Sequence, residues 1–120
     1  MIVERIRWHH VRDARVASLA EGGLLRVILK KDPILLVRHS GSLHAFADLC
    51  PHQGKPLSGG WVEDGHLVCP YHRFHFNLQN GHARHGVCSH ATRFEVRHTA
   101  DGCAVGVPYT TLRIFGFDLW

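Results

Sequence analysis

Four residues near the middle of this 120-residue chain are of types that hold metals: Cys50, His52, Cys69 and His72. They fall into two half-sites, Cys50-Pro51-His52 and Cys69-Pro70-Tyr71-His72, separated by sixteen residues. A thiolate is a soft anionic donor and an imidazole a neutral one, so two of each suit zinc or iron. Zinc-finger spacing usually puts the cysteines in one half and the histidines in the other. Mixed halves fit an iron–sulfur cluster better, with a tetrahedral zinc site as the chemical competitor. Pro51 and Pro70 fix φ within each half-site. Gly54, Gly59 and Gly60 permit tight backbone beside the first.

Half-sites so short can present both donors only from turns, and the intervening segment must bring the turns together. Trp61 to Val68 reads as a hairpin turned at Asp64-Gly65, which would return the second half-site beside the first. The same signal recurs elsewhere. Ser40-Gly41 separates Ile34–Val37 from Leu43–Phe46. Asn80-Gly81 follows Phe74–Phe76, and Asp101-Gly102 separates Phe94–Val96 from Cys103–Val107. Such pairs supply the positive φ of tight hairpins, so the sequence predicts a mostly antiparallel, all-β domain. Asp13 to Glu21 is the one candidate helix, before a strand at Leu24–Leu29. The apolar tail from Tyr109 to Trp120 is expected to pack back as an extra strand or wrap on the same core. The alternative is a subunit or partner interface.

The bulk properties narrow the class. The chain is 45% hydrophobic and 20% charged, with a formal net charge of +4 and twelve histidines. Its length suits one domain, residues 1–120. It has no Lys/Arg block, which argues against nucleic acid. No apolar run approaches the roughly 20 residues of a membrane span, and the start predicts no secretory signal. Cytoplasmic localisation is therefore expected. The half-site cysteines read as metal thiolates, whereas Cys88 and Cys103 read as small buried apolar residues, with a bridge between them as the alternative. His9-His10 and His82-Ala83-Arg84-His85 are expected to be exposed polar residues, and most other histidines to face solvent.

From Gly41 to Gly81 the chain reads GSLHAFADLCPHQGKPL and, after the hairpin, LVCPYHRFHFNLQNG. This stretch resembles the Rieske family, with compatible sequence from about Trp8 to Val107. The resemblance implies a Rieske iron–sulfur domain of antiparallel sheets, with a small cluster-binding subdomain (about 46–81) inserted by two loops, and a C-terminal apolar tail (108–120). It implies one Rieske-type [2Fe-2S] cluster per chain, the two cysteines on one iron and the two histidines on the other. Neutral imidazoles in place of two thiolates remove two negative charges, which makes reduction easier.

Departures from the family pattern are informative. Rieske proteins of respiratory and photosynthetic complexes carry a disulfide clasp between the loops; the matching positions here are Lys55 and Tyr71. They also place Gly-Ser after the second histidine, where this chain has Arg73-Phe74 and so lacks a hydroxyl donor. Both features resemble the unclasped ferredoxin and oxygenase branch and predict a potential in the lower part of the Rieske range. The stretch matching a third, proline-containing loop, about His85 to Ala91, has no proline; Cys88 and His90 occupy it.

The expected function is one-electron transfer to or from a redox protein partner, such as a flavin reductase or an oxygenase. Lys55, Pro56, Tyr71, Arg73 and Phe74 would form the docking rim, although Lys55 and Arg73 read equally well as solvated charge. Catalysis by this chain alone is not expected, since the mononuclear iron of Rieske oxygenases needs a second domain. The alternatives are a non-catalytic small subunit of a reductase resembling nitrite reductases, or a zinc-stabilised interaction module.

Overall fold

The computed structural model describes residues 2–51, 54–71, 73–84, 89–114 and 117–118, from residue 110 onward by backbone alone. Ten strands and one short helix are described. They are β1 (Ile2–Val11), α1 (Ala14–Ser18), β2 (Leu24–Leu29), β3 (Asp32–His39), β4 (Ser42–Ala47), β5 (Trp61–Glu63), β6 (His66–Val68), β7 (His75–Asn77), β8 (Arg93–Thr99), β9 (Gly102–Ile114) and β10 (Phe117–Asp118). The larger sheet runs β1-β9-β8-β4-β3-β2, with β10 also paired to β9, and the smaller runs β5-β6-β7. All pairings between these strands are antiparallel.

Turn chemistry explains two of the four described tight turns between paired neighbouring strands. Ser40 and Gly41 take φ of 52° and 77° between β3 and β4, and Asp64 and Gly65 take 50° and 73° between β5 and β6. Two consecutive positive φ values are what a two-residue hairpin needs. The turn between β8 and β9 departs from expectation. Thr99 pairs with Gly102, so Ala100 and Asp101 form its tip. Gly102 instead opens β9, where a Cβ would collide with the Val11 carbonyl. Lys30 and Lys31 make a turn that no sequence signal marks, with φ of 46° and 76° between β2 and β3. The helix is confined to Ala14–Ser18 and capped by Asp13, whose carboxylate accepts from the Arg15 amide at 2.9 Å. An aspartate at this position satisfies one of the orphan amides of the first turn.

Strand β3 is buried on both faces and divides two apolar cores. Leu35 and Val37 belong to one, with Phe46, Leu57, Leu67, Phe76 and Leu78. Ile34 and Leu36 belong to the other, with Val16, Leu25, Val27, Ala45 and Val105. The period of two along a strand produces this split. Each fully buried Leu or Phe contributes about 1.5–3 kcal/mol of transfer free energy, so burial from both lobes holds β3 in register.

The C-terminal segment forms strand structure. Residues 109–112 continue β9 against β1, with Ile2 opposite Leu112, and β10 folds back on Ile114 and Arg113. No helix among the described residues is long and apolar enough to cross a membrane.

Candidate metal centre

The two half-sites leave the ends of short strands and close in the same way. The Cys50 amide donates to the Lys55 carbonyl at 2.7 Å, and the Cys69 amide to the Phe74 carbonyl at 2.9 Å. Each cysteine is therefore the first residue of a loop closed five residues later. The fifth residue of each loop is left-handed: Gly54 at φ 72° and Arg73 at φ 56°. That conformation turns the chain back so that the sixth carbonyl meets the first amide. It costs glycine little and an arginine about 1 kcal/mol or more. In loop 1 the Gly54 amide also donates to the Cys50 carbonyl at 2.7 Å. Positions 52 and 72 lie inside these loops in sequence, and both histidines fall outside the described residues.

Cys50 and Cys69 are each 1% exposed and belong to the same buried core. Two thiols in one apolar cluster, each at the base of a closed loop, suit a group that takes two thiolates. An isolated thiolate in such surroundings would be costly, and a bound metal supplies the compensating charge.

The loops are tied to each other and to the larger sheet. The Lys55 ammonium lies 4.6 Å from the centroid of the Tyr71 ring. A cation–π contact thus joins the two loops. A Cβ on Gly60 would collide with the Val68 carbonyl, so only glycine lets the chain leave loop 1 against β6. Asp48, two residues before Cys50, is buried at 3% exposure. Its carboxylate accepts from the Ser58 amide at 2.8 Å and from Arg26 Nη1 at 2.9 Å, and its own amide donates to the Pro33 carbonyl at 3.0 Å. One residue therefore fixes both ends of loop 1 to β2 and β3. Sequence reading missed Asp48; its partners lie 10 and 22 residues away and no spacing rule connects them.

Arg93 braces the other side. Its Nε donates to the Leu78 carbonyl at 2.9 Å, and its Nη2 lies 3.3 Å from His44 Nδ1. His44 is 4% exposed, an exception to the expectation that most of these histidines face solvent. Burial first, then the charges of Arg93 and His39, holds its pKa below the usual imidazole value. His90 stacks on His82, ring centroids 4.1 Å apart, and accepts from the Ala83 amide at 3.0 Å. It is exposed. Cys88 lies outside the described residues, and Cys103 is a buried free thiol whose pKa burial raises.

Around the loops, Leu49, Trp61 and Tyr71 are exposed apolar side chains, at 51%, 40% and 46%. Leu49 lies beside Gly54 on loop 1. Lys55 and Arg73 are also exposed, which gives this end an apolar and basic surface.

The profile of the Rieske [2Fe-2S] domain matches residues 8–108. Among curated relatives, the ferredoxin component of the alkene monooxygenase system of Xanthobacter autotrophicus is 43% identical over 49 residues, 40% of each chain. The chain spans less than half the length of such relatives, and only 10–18% of longer ones. Among solved structures, the ferredoxin of carbazole 1,9a-dioxygenase from Nocardioides aromaticivorans superposes with a TM-score of 0.70 at 23% identity, over 79% of this chain and 94% of that one. A chain of the complex of reduced oxygenase and oxidized ferredoxin in carbazole 1,9a-dioxygenase gives 0.71 at 26% identity, over 82% and 91%. With the all-β sheets, the paired cysteine loops and a match over most of its length, the chain belongs to the Rieske [2Fe-2S] domain family and takes a Rieske-type [2Fe-2S] cluster.

Proposed function

We propose that this chain is a cytoplasmic one-electron carrier for an oxygenase or reductase system, with Cys50, His52, Cys69 and His72 as the ligands of its cluster. The observation that carries the reading is the matched pair of loops, each opening on a buried cysteine and each containing one of the two histidine positions. On this reading Cys50 and Cys69 hold the inner iron and His52 and His72 the outer one. The cluster-binding subdomain spans about 46–81 of a single domain, 1–120. When bound, the cluster supplies a single-electron couple; the loops hold it and exclude water from its inner side.

The electron passes at the end where Leu49, Tyr71, Lys55 and Arg73 are exposed. Such a surface suits a redox partner that presents apolar and acidic groups. The carbazole dioxygenase complex, in which a ferredoxin meets its oxygenase, supports an oxygenase as that partner. The C-terminal strands from residue 109 onward are a second candidate contact, for a subunit or for the partner.

Phe74 brings no hydroxyl to the loop that follows His72. We therefore place the midpoint potential below zero, within the roughly −150 to +300 mV of Rieske centres. The test is the purified protein itself. Reduction should give a Rieske-type EPR spectrum and redox titration a negative midpoint. His52→Cys or His72→Cys should lose that spectrum. A colourless protein carrying zinc, or a spectrum unchanged in both variants, would refute the ligand assignment.

A further inference from the structure

The core on the face of β3 away from the cluster loops opens to solvent at one end. There β1, β8 and β9 meet the turn between β2 and β3 around a cavity of about 220 Å³. Its wall is apolar, formed by Ile34, Phe94 and Val107. Its lining also carries two cationic side chains, Arg7 and Lys30, and the His9 imidazole, against one carboxylate, Asp32. Ile34 faces this core and its neighbour Leu35 the cluster-side core, so the cavity and the metal centre lie on opposite faces of one sheet.

Of the basic groups, Arg7 is held in place. The Arg7 guanidinium lies 4.4 Å from the centroid of the Tyr109 ring, which also lines the cavity. Lys30 sits in the lysine turn, whose two left-handed residues store strain of about 1 kcal/mol or more each. Burial, then the nearby charges of Lys30 and Arg7, holds the His9 pKa below its usual value. Apolar walls with a few fixed polar groups are the usual make-up of a small-molecule site. This volume is below that of drug-sized pockets and suits one ring.

We propose that this cavity binds a small organic anion, a carboxylate carried on a single ring-sized apolar body. The carboxylate would meet Arg7 and Lys30, and the ring would lie against Ile34, Phe94 and Val107. The size of the cavity limits the body, and the excess of positive charge selects the anion. The site does not depend on the electron-transfer reading, because none of its residues belongs to the cluster loops.

Benzoate is the probe. Isothermal titration into the cluster-loaded protein should give saturable binding at one site. Benzamide, with the ring but no charge, and acetate, with the charge but no ring, should each bind at least tenfold more weakly. Arg7→Gln and Lys30→Gln should each weaken benzoate about tenfold, the loss expected for one charge-assisted contact. Lys30 is in an exposed turn, so Lys30→Gln decides the matter alone if Arg7→Gln does not fold. Absence of saturable benzoate binding, benzamide binding as tightly as benzoate, or unchanged affinity in Lys30→Gln would each overturn the proposal.

Discussion

The Arg26–Asp48 pair makes an asymmetric prediction. The Asp48 side chain is fully buried, whereas that of Arg26 is 43% exposed. Arg26→Met leaves a buried carboxylate with the Ser58 amide and without its cation. Uncompensated buried charges of this kind cost about 3–5 kcal/mol, so a loss near 3 kcal/mol is expected after allowing for partial solvation. Asp48→Asn leaves the arginine free to rehydrate and keeps an acceptor for the Ser58 amide. Only the charge-assisted part of one hydrogen bond is lost, about 1–2 kcal/mol. Changing the more exposed partner should therefore be the more damaging mutation. For a chain of this size 1 kcal/mol corresponds to roughly 4 °C in Tm, giving falls of about 12 °C and 4–8 °C. Urea unfolding followed by far-UV circular dichroism checks the values. In the double variant the loss should fall well short of their sum, because Asp48→Asn removes the charge that Arg26→Met would strand. If Asp48→Asn proved as costly as Arg26→Met, the buried-charge reasoning would fail.

Three further tests concern the loops and the bracing around them. Arg73→Gly should stabilise the protein by about 0.5–1 kcal/mol by relieving a left-handed arginine, whereas Arg73→Ala should not; chemical denaturation of both decides it. A double-mutant cycle with Lys55→Ala and Tyr71→Leu should give a coupling of about 0.5–1 kcal/mol, and zero coupling would remove the ammonium–ring contact as a tie between the loops. His44 has a folded-state pKa below its unfolded value near 6.5. Below that pH the unfolded chain takes up a proton that the folded one does not. Its contribution is thus fully present above pH 6.5 and is lost as pH falls toward the folded pKa, with a slope of at most about 1.4 kcal/mol per pH unit. Stability against pH should be flatter in His44→Gln, and equal profiles would count against it.

Local chemistry was legible in the sequence, and long-range chemistry was not. Ser40-Gly41 and Asp64-Gly65 announced their hairpins because glycine takes positive φ at no steric cost and aspartate tolerates it. Lys30-Lys31 adopts the same backbone without a favourable residue, so tertiary packing decides it. Strand β1 was hidden because charges interrupt its apolar pattern, IVERIRWHHV. The cysteine half-sites were plain from residue type and spacing. Their common five-residue closure was not, since it is a backbone pattern that Cys-Pro-His and Cys-Pro-Tyr-His disguise. The roles of Asp48, Arg93 and His44 depend on partners 10 to 49 residues away and required the fold.

Strand β3 sets how far the two lobes can be separated. The apolar interior next to the cluster loops draws Leu35, Val37 and Phe46 from the larger sheet and Leu57, Leu67 and Phe76 from the inserted segment. Excised, the insert would lose that wall and expose the rest of its interior. Grafted onto another scaffold, it would need that same wall supplied. The lobe is therefore not a portable cassette, and unfolding of either side should carry the other with it in a single transition.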